Sequence, residues 1–306
     1  MIEVRVSGGQ ADDLRSLEIY NAVWPHDAFA LEDANAFKAS LIAADDHVAS
    51  LEGVDVGSAF TGIRPHRPDF VFGPITVLAE HRRRGVGTAL YKAVSTWTAG
   101  HGLSEIEVFV DEDDAESLAF AERRGFSEIE RNGRMTLELT ELEPPEVAPP
   151  PGIGIVSWAE HPELAPGMYE VACEAYPDIP GQEDDLVEPC EDWLEHDMRA
   201  PGDRPDATFV ALAGDEVVGY AKFSLTTARP KVAFHDITGV KRAWRGRGIA
   251  GALKRAQIAW AKHAGYELLQ TGNEARNTPI LRLNEKLGYK AAPGRILLRG
   301  PLSGAA

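Results

Sequence analysis

Two short runs carry the residue types best suited to holding a charged ligand: Arg82-Arg83-Arg84-Gly85-Val86-Gly87-Thr88 and Arg245-Gly246-Arg247-Gly248-Ile249-Ala250-Gly251. Each stands between an apolar strand-like stretch and an amphipathic helix-like one. Glycine lets the backbone turn through left-handed conformations and lets a ligand approach the main chain closely. The first amides of a helix have no partner within it and sit at the positive end of its dipole. A turn of this kind builds a site for a phosphate or diphosphate, with Arg82 or Arg245 adding a full charge. Neither run fits a dinucleotide fingerprint, which wants Gly-x-Gly-x-x-Gly beside a first strand, or a P-loop, which ends in Gly-Lys-Ser/Thr.

The strand-like stretches ahead of the two turns differ. Residues 69–77 hold no titratable group after Asp69, whereas 232–240 offer His235 and Asp236. Period-two alternation predicts Asp236, Thr238 and Val240 on one face and His235 on the other.

These residues belong to a duplicated framework. Gly85 and Gly248 are 163 positions apart, and Gly125 and Gly288 are again 163 apart. Upstream, VDVGSAF at 54–60 matches EVVGYAK at 216–222 with an offset of 162. Duplication of one domain explains the equal spacing. Each copy reads as a short strand (2–6; 153–157), helices (12–23 and 31–44; 163–175 and 190–198) and two β-rich runs with turns at Glu52-Gly53 and Gly214-Asp215. A further strand (69–77; 231–240), the glycine turn, an amphipathic helix (86–99; 249–263), a strand (104–110; 266–271), a helix (114–124; 277–287) and terminal β segments follow. This order predicts an α/β (α+β) fold in duplicate, helices flanking each sheet. Residues 134–142 alternate as a closing strand of the first copy. The proline-rich stretch 143–152 predicts an extended connector, giving domains at 1–142 and 153–306.

Composition excludes several function classes. The 306 residues carry a net charge of −17, which opposes broad attraction to nucleic acid or an anionic membrane. Residues 1–152 hold 13 basic against 27 acidic residues and the remainder 18 against 21, so the acidity is mainly a first-half surface property. No run of about 18 apolar residues suggests a transmembrane helix, and the N-terminus lacks the apolar core of a signal peptide. Two cysteines without a Cys/His cluster predict neither a disulfide scaffold nor a metal site, and point to the cytoplasm.

The segments VLAEHRRRGVGTALYKAV and GVKRAWRGRGIAGALKRAQ resemble the acetyl-CoA signature of the GNAT superfamily of N-acetyltransferases. DDAESLAFAERRGF and ARNTPILRLNEKLGY resemble that family's second motif, a helix ending in Gly-Phe/Tyr. The resemblance spans both halves, as in tandem enzymes of the mycothiol-synthase type, and implies two GNAT-type domains, each with a mixed, mostly antiparallel sheet. It implies that amides at 83–88 and 246–251 hold the diphosphate of coenzyme A. Strands ending at Val77 and at Thr238-Gly239-Val240 would pair with the pantetheine arm, and Asn277 falls at a pantetheine-contacting position. Asp114 replaces that asparagine in the first copy. The acetyl group would pass to an amine by direct attack, with a main-chain N–H near Val240 stabilising the oxyanion.

The catalytic residues depart from the family's commonest pattern. Ala121 and Asn284 stand where many members carry a thiolate-protonating tyrosine, which leaves a non-catalytic acyl-CoA-binding module as the competing reading. Asn284 either bonds the sulfur or a water, or is satisfied locally within its helix. Asp236 and His235, on the strand that borders the acceptor pocket in the family, act as base or serve structure. The acceptor side falls to Glu174, Tyr176 and Asp178. Tyr176-Pro177 matches Trp24-Pro25, either as packing aromatics or as acceptor contacts. Eight acids from Glu183 to Asp197, with no Lys or Arg, form either a solvated face or a pocket mouth favouring a cationic amine. The expected function is acetyl transfer to a small-molecule primary amine or, alternatively, a protein amine. The second copy would be catalytic and the chain a monomer or homodimer.

Overall fold

A computed structural model describes residues 1–65, 67–180 and 187–302. Of the acidic run, Glu183, Asp184 and Asp185 lie outside the described residues. The chain forms two compact units, Met1–Arg131 with Arg295–Ala306 and Asn132–Gly294. No described helix is long and apolar enough to cross a membrane.

The first unit comprises β1 (Ile2–Val6), α1 (Gln10–Val23), α2 (Leu31–Ala39), β2 (Ala43–Leu51), β3 (Val54–Arg64), β4 (Arg67–Phe72), β5 (Ile75–Val77), α3 (Val86–Gly100), β6 (Glu105–Asp111) and α4 (Ala115–Glu122). Strand β7 (Ser127–Glu138) leaves this unit at residue 131. The helix expected over 31–44 ends at Ala39, and Ala43 already opens β2. In the second unit follow β8 (Gly154–Ser157), α5 (Ala165–Ala175), α6 (Cys190–His196), β9 (Phe209–Ala213), β10 (Glu216–Ser224), β11 (Val232–Val240), α7 (Ile249–His263), β12 (Leu268–Glu274) and α8 (Thr278–Lys286). Strand β13 (Lys290–Pro301) closes the chain.

The units do not follow a linear division at the proline-rich stretch. Asn132–Glu138 of β7 pairs antiparallel with β12 inside the second unit. Arg295–Pro301 of β13 pairs antiparallel with β6 inside the first. Met135, Leu137 and Leu139 enter a core with Ala233, Ile258 and Leu269, whereas Ile296, Leu298 and Leu302 enter one with Leu90, Val94 and Ile106. Alternating apolar residues bury one face of a strand against any suitable sheet edge, so the alternation at 134–142 marks a strand without naming its partner.

Each sheet opens at the same place. Strands β4 and β6 run parallel and pair only at Val71–Phe72 with Ile106–Glu107, after which β5 pairs with β3. Strands β11 and β12 pair in parallel over Val232–His235 and Leu268–Thr271. Beyond these points a gap separates β5 from the end of β6, and the end of β11 from the end of β12. Leu78 N–H donates to Val56 O and Lys241 N–H to Val218 O, so the N–H groups of Val77 and Val240, one residue earlier, face the gaps.

Lys222 opposes Ile237 and Phe223 opposes His235, leaving Asp236 as an extra residue in a β-bulge. This bulge accounts for the change of repeat offset from 162 upstream to 163 downstream. It also corrects the expected faces. His235 bonds Gln257 on α7, and Val240 packs with Ile249 and Leu253 of α7. Asp236 instead reaches Lys222, on the other side of the sheet.

Candidate active site

The glycine turns position a helix N-terminus at the mouth of each gap. Gly85 and Gly248 precede α3 and α7 with φ of 91° and 87°, and neither helix has a side-chain cap. The first-turn amides of both helices therefore stay available to an anion. Gly246 is left-handed at φ 73°, and its counterpart Arg83 takes the same conformation at φ 61°. A side chain there is strained, whereas glycine is not. Val86 and Ile249, each 1% exposed, anchor the two helices in their cores. Arg82 Nε donates to Val77 O at 3.4 Å and Arg245 Nε to Val240 O at 2.9 Å, tying each turn to the strand before it. Arg84 reaches Glu52 at the exposed surface, and Arg247 lies over the Trp244 ring.

In the first unit, Val77, Arg82, Arg83, Gly85, Gly87 and Thr88 line a cavity of about 370 Å³. Its inner wall is mainly apolar, with Ile75, Val108, Tyr91, Ala121 and Phe126. Tyr91 Oη donates to Pro301 O at 2.7 Å, and Arg124 covers Phe120 and donates to Thr88 Oγ1. Asp114 caps α4 through Ser117 N–H and pairs with Arg82 at 3.0 Å. Burial opposes its charge, but the Ser117 and Arg82 bonds prevail and hold its carboxyl below the usual range. Asn277, at the matching position before α8, makes no such cap.

The second unit concentrates charge at its gap. Lys222, 3% exposed, lies 2.9 Å from Asp203, 3.0 Å from Asp236 and 3.5 Å from Asp197. Burial works against the ammonium, but Asp236, Asp197 and Asp203 outweigh it and hold Lys222 above the ordinary lysine range. Burial pushes Asp203 up to about 6, and raises Asp197 as well. Tyr176 Oη donates to Asp197 and lies 3.2 Å from Tyr220 Oη. Asp236 and Asp197 both open to solvent, their side chains 38% and 31% exposed, whereas Asp203 is closed off at 4%. The first unit has Phe60 opposite Pro74 where the second has Lys222 opposite Ile237, and no residue matching Asp236.

The other expected acceptor residues go elsewhere. Asp178 bonds Arg242 and Arg245 at 2.8 and 2.6 Å, and those guanidinium groups, Arg242 first, hold its carboxyl at about 2. Glu174 accepts from Arg242 N–H at 2.8 Å. Tyr176 thus joins the Asp236 cluster, whereas Glu174 and Asp178 brace the arginine-glycine turn. Thr238 pairs with Ala221, and on the α5 side Gly239 leaves the space that Val171 and Ala175 approach. Gly251 faces Leu283 of α8, and Ala250 packs at the core margin with Ile249.

His235 is buried. Its Nδ1 bonds Gln257 Oε1 at 2.9 Å and its Nε2 bonds Tyr289 Oη. Burial first, then the nearby Lys254, drive its pKa well below the usual range. A neutral ring satisfied on both nitrogens acts as a core bridge. Asn284 is 0% exposed, with neither side-chain polar atom partnered among the described residues. Sequence reasoning missed Lys222, Asp203 and Lys254. The available signal was a lysine at an inward position of a strand in the first case, and on the apolar stripe of α7 in the last.

The acetyltransferase (GNAT) family model matches residues 13–126 and 165–289. A "Mycothiol acetyltransferase" of Nocardiopsis dassonvillei is 28% identical over 276 residues, covering 79% of this chain and 78% of the relative. An "L-2,4-diaminobutyric acid acetyltransferase" of Nocardia farcinica is 36% identical over 83 residues, 26% of this chain and 43% of the relative. Among solved structures, a tandem GNAT protein from the clavulanic acid biosynthesis pathway superposes with a TM-score of 0.78 at 20% identity, covering 99% of this chain and 100% of that one. That likeness concerns the fold.

Proposed function

The chain belongs to the acetyltransferase (GNAT) family, and from that premise we propose that its second unit transfers an acetyl group from acetyl-CoA to a primary amine of a small molecule. The observation that carries this reading is the Asp236–Lys222 cluster at the open end of the β11/β12 gap, which has no counterpart in the first unit. Acetyl-CoA would supply a thioester whose carbonyl is open to direct attack. The α7 amides and Arg245 suit its diphosphate, Asn277 its pantetheine amides, and the gap-facing Val240 N–H the oxygen on which charge develops. Asp236, exposed and fixed by Lys222, takes the proton of the attacking amine directly or through a water. Its negative surroundings favour a cationic acceptor over an anionic one.

The first unit, with an equivalent turn and an apolar cleft, is read as a coenzyme-binding partner without the acceptor-side charges. Names among the relatives support small-molecule acceptors, diaminobutyric acid among them. The test is coenzyme A release across a panel of small amines, amino acids and peptides. Release above hydrolysis with a small amine supports the proposal. Tight acetyl-CoA binding with no amine-dependent release in any class would overturn it.

A further inference from the structure

The wall that closes the second unit's gap differs from its first-unit counterpart in a way the acceptor chemistry does not use. Tyr91 is the sixth residue of α3 and Ala121 the seventh of α4, and both line the first cavity. Lys254 and Asn284 hold the same places in α7 and α8, each 163 positions later. The surrounding positions change too: Val94 gives way to Gln257, and Phe126 to Tyr289. An apolar wall has become a polar one.

The second wall is rich in donors. Lys254 is 1% exposed, its ammonium 5.3 Å from the centroid of the Tyr289 ring. No carboxylate among the described residues pairs with it. Gln257 Oε1 is taken by His235, leaving its Nε2 unpartnered among the described residues, and the Asn284 amide is unpartnered there as well. Tyr91, by contrast, spends its hydroxyl on Pro301. Buried donors without acceptors are costly, so such a group suits a ligand atom that brings negative charge.

Resting on acyl transfer in the second unit, we propose that Lys254 is the catalytic proton donor to the coenzyme A thiolate, with Asn284 and Gln257 positioning that sulfur. As the acceptor nitrogen bonds the acetyl carbon, the C–S bond breaks and its electron pair stays on sulfur. A proton from the Lys254 ammonium converts the thiolate to the thiol. The proton shed by the acceptor nitrogen leaves through Asp236 or water, and solvent reprotonates Lys254. Burial alone lowers Lys254 to about 7, which suits an amine that both gives and regains a proton near neutrality. The titratable groups facing it are His235 of β11 and Tyr289, and the tyrosine is itself held protonated by burial.

The test compares unaltered protein with Lys254→Met, a change of similar length that fills the same buried space. With acetyl-CoA, kcat falls about 100-fold, whereas with an acetyl thioester of a much more acidic thiol, which leaves without protonation, it falls by no more than about threefold. A second readout needs no turnover. In the complex with free coenzyme A, the thiol titration followed by ultraviolet absorbance lies about one unit or more lower in the unaltered protein than in Lys254→Met. Equal losses with both donors, or superposable thiol titrations, would overturn the assignment. Failure of the unaltered protein to acylate any amine with either donor would instead overturn the acyl-transfer reading itself, leaving the thiol titration to decide the contact with sulfur.

Discussion

Lys222 Nζ lies 3.0 Å from the Asp236 carboxylate because a β-bulge places one extra residue of β11 beside the gap. Without the bulge, residue 236 would follow the alternation of the strand and share a face with Val240. The inserted residue is therefore the one that meets the buried ammonium. The inserted Asp236, with Lys222 in the place of Phe60, thus separates a charged opening from an apolar one.

Replacing Asp236 by Asn keeps the shape of the bulge while removing the proton-accepting oxygen. The expected outcome is a fall in kcat of about 100-fold and an altered pH–rate profile. A rate and profile matching those of the unaltered protein would remove Asp236 as the base.

Lys222→Met leaves the Asp203 carboxylate, its side chain 4% exposed, buried beside an apolar group. Breaking a buried ion pair from one side costs about 3–5 kcal/mol, which denaturant unfolding at neutral pH should register. A loss below about 1 kcal/mol would mean that the cluster is solvated like a surface pair.

Asp203 adds a pH dependence of definite sign. Its folded value of about 6 lies above the ordinary carboxyl value of about 3.9. The stability it contributes is full below the unfolded value and is lost as pH rises through the folded one. Relative to Asp203→Asn, the unaltered protein should lose about 2–3 kcal/mol between pH 4 and 7. Parallel stability curves for the two proteins would contradict the raised value.

Arg83 holds a left-handed conformation, φ 61°, that its counterpart Gly246 adopts without strain. Arg83→Gly should stabilise the first unit by about 1 kcal/mol, and Gly246→Ala should destabilise the second by a similar amount. Denaturation midpoints moving the other way would show that the side-chain interactions of Arg83 outweigh backbone strain.

Gly85→Glu and Gly248→Glu each set a carboxylate at one helix N-terminus. Calorimetry with acetyl-CoA should lose one site in each variant, and turnover should vanish only with Gly248→Glu. Each change also puts a side chain at positive φ, costing about 1–2 kcal/mol, so unfolding curves accompany the titrations. Turnover lost with Gly85→Glu alone would reverse the roles proposed for the units.

The sequence by itself determined what depends on neighbours along the chain. Glycines at 85 and 248, the periodicity of α3 and α7 and the equal spacing to Gly125 and Gly288 established the duplication and both glycine turns, because turn geometry and helix amphipathicity are local. Even the bulge was present as a change of offset from 162 to 163, although alternation alone gave the wrong face for His235. Only the tertiary structure decided the rest. Main-chain ladders accept any strand of suitable pattern, so nothing in residues 132–138 or 295–301 announces which unit each one closes. Lys222 and Lys254 are ordinary lysines in one dimension. Lys222 takes its charge from carboxylates 14 to 25 positions away on other elements, whereas burial alone lowers Lys254, and neither environment can be read along the chain.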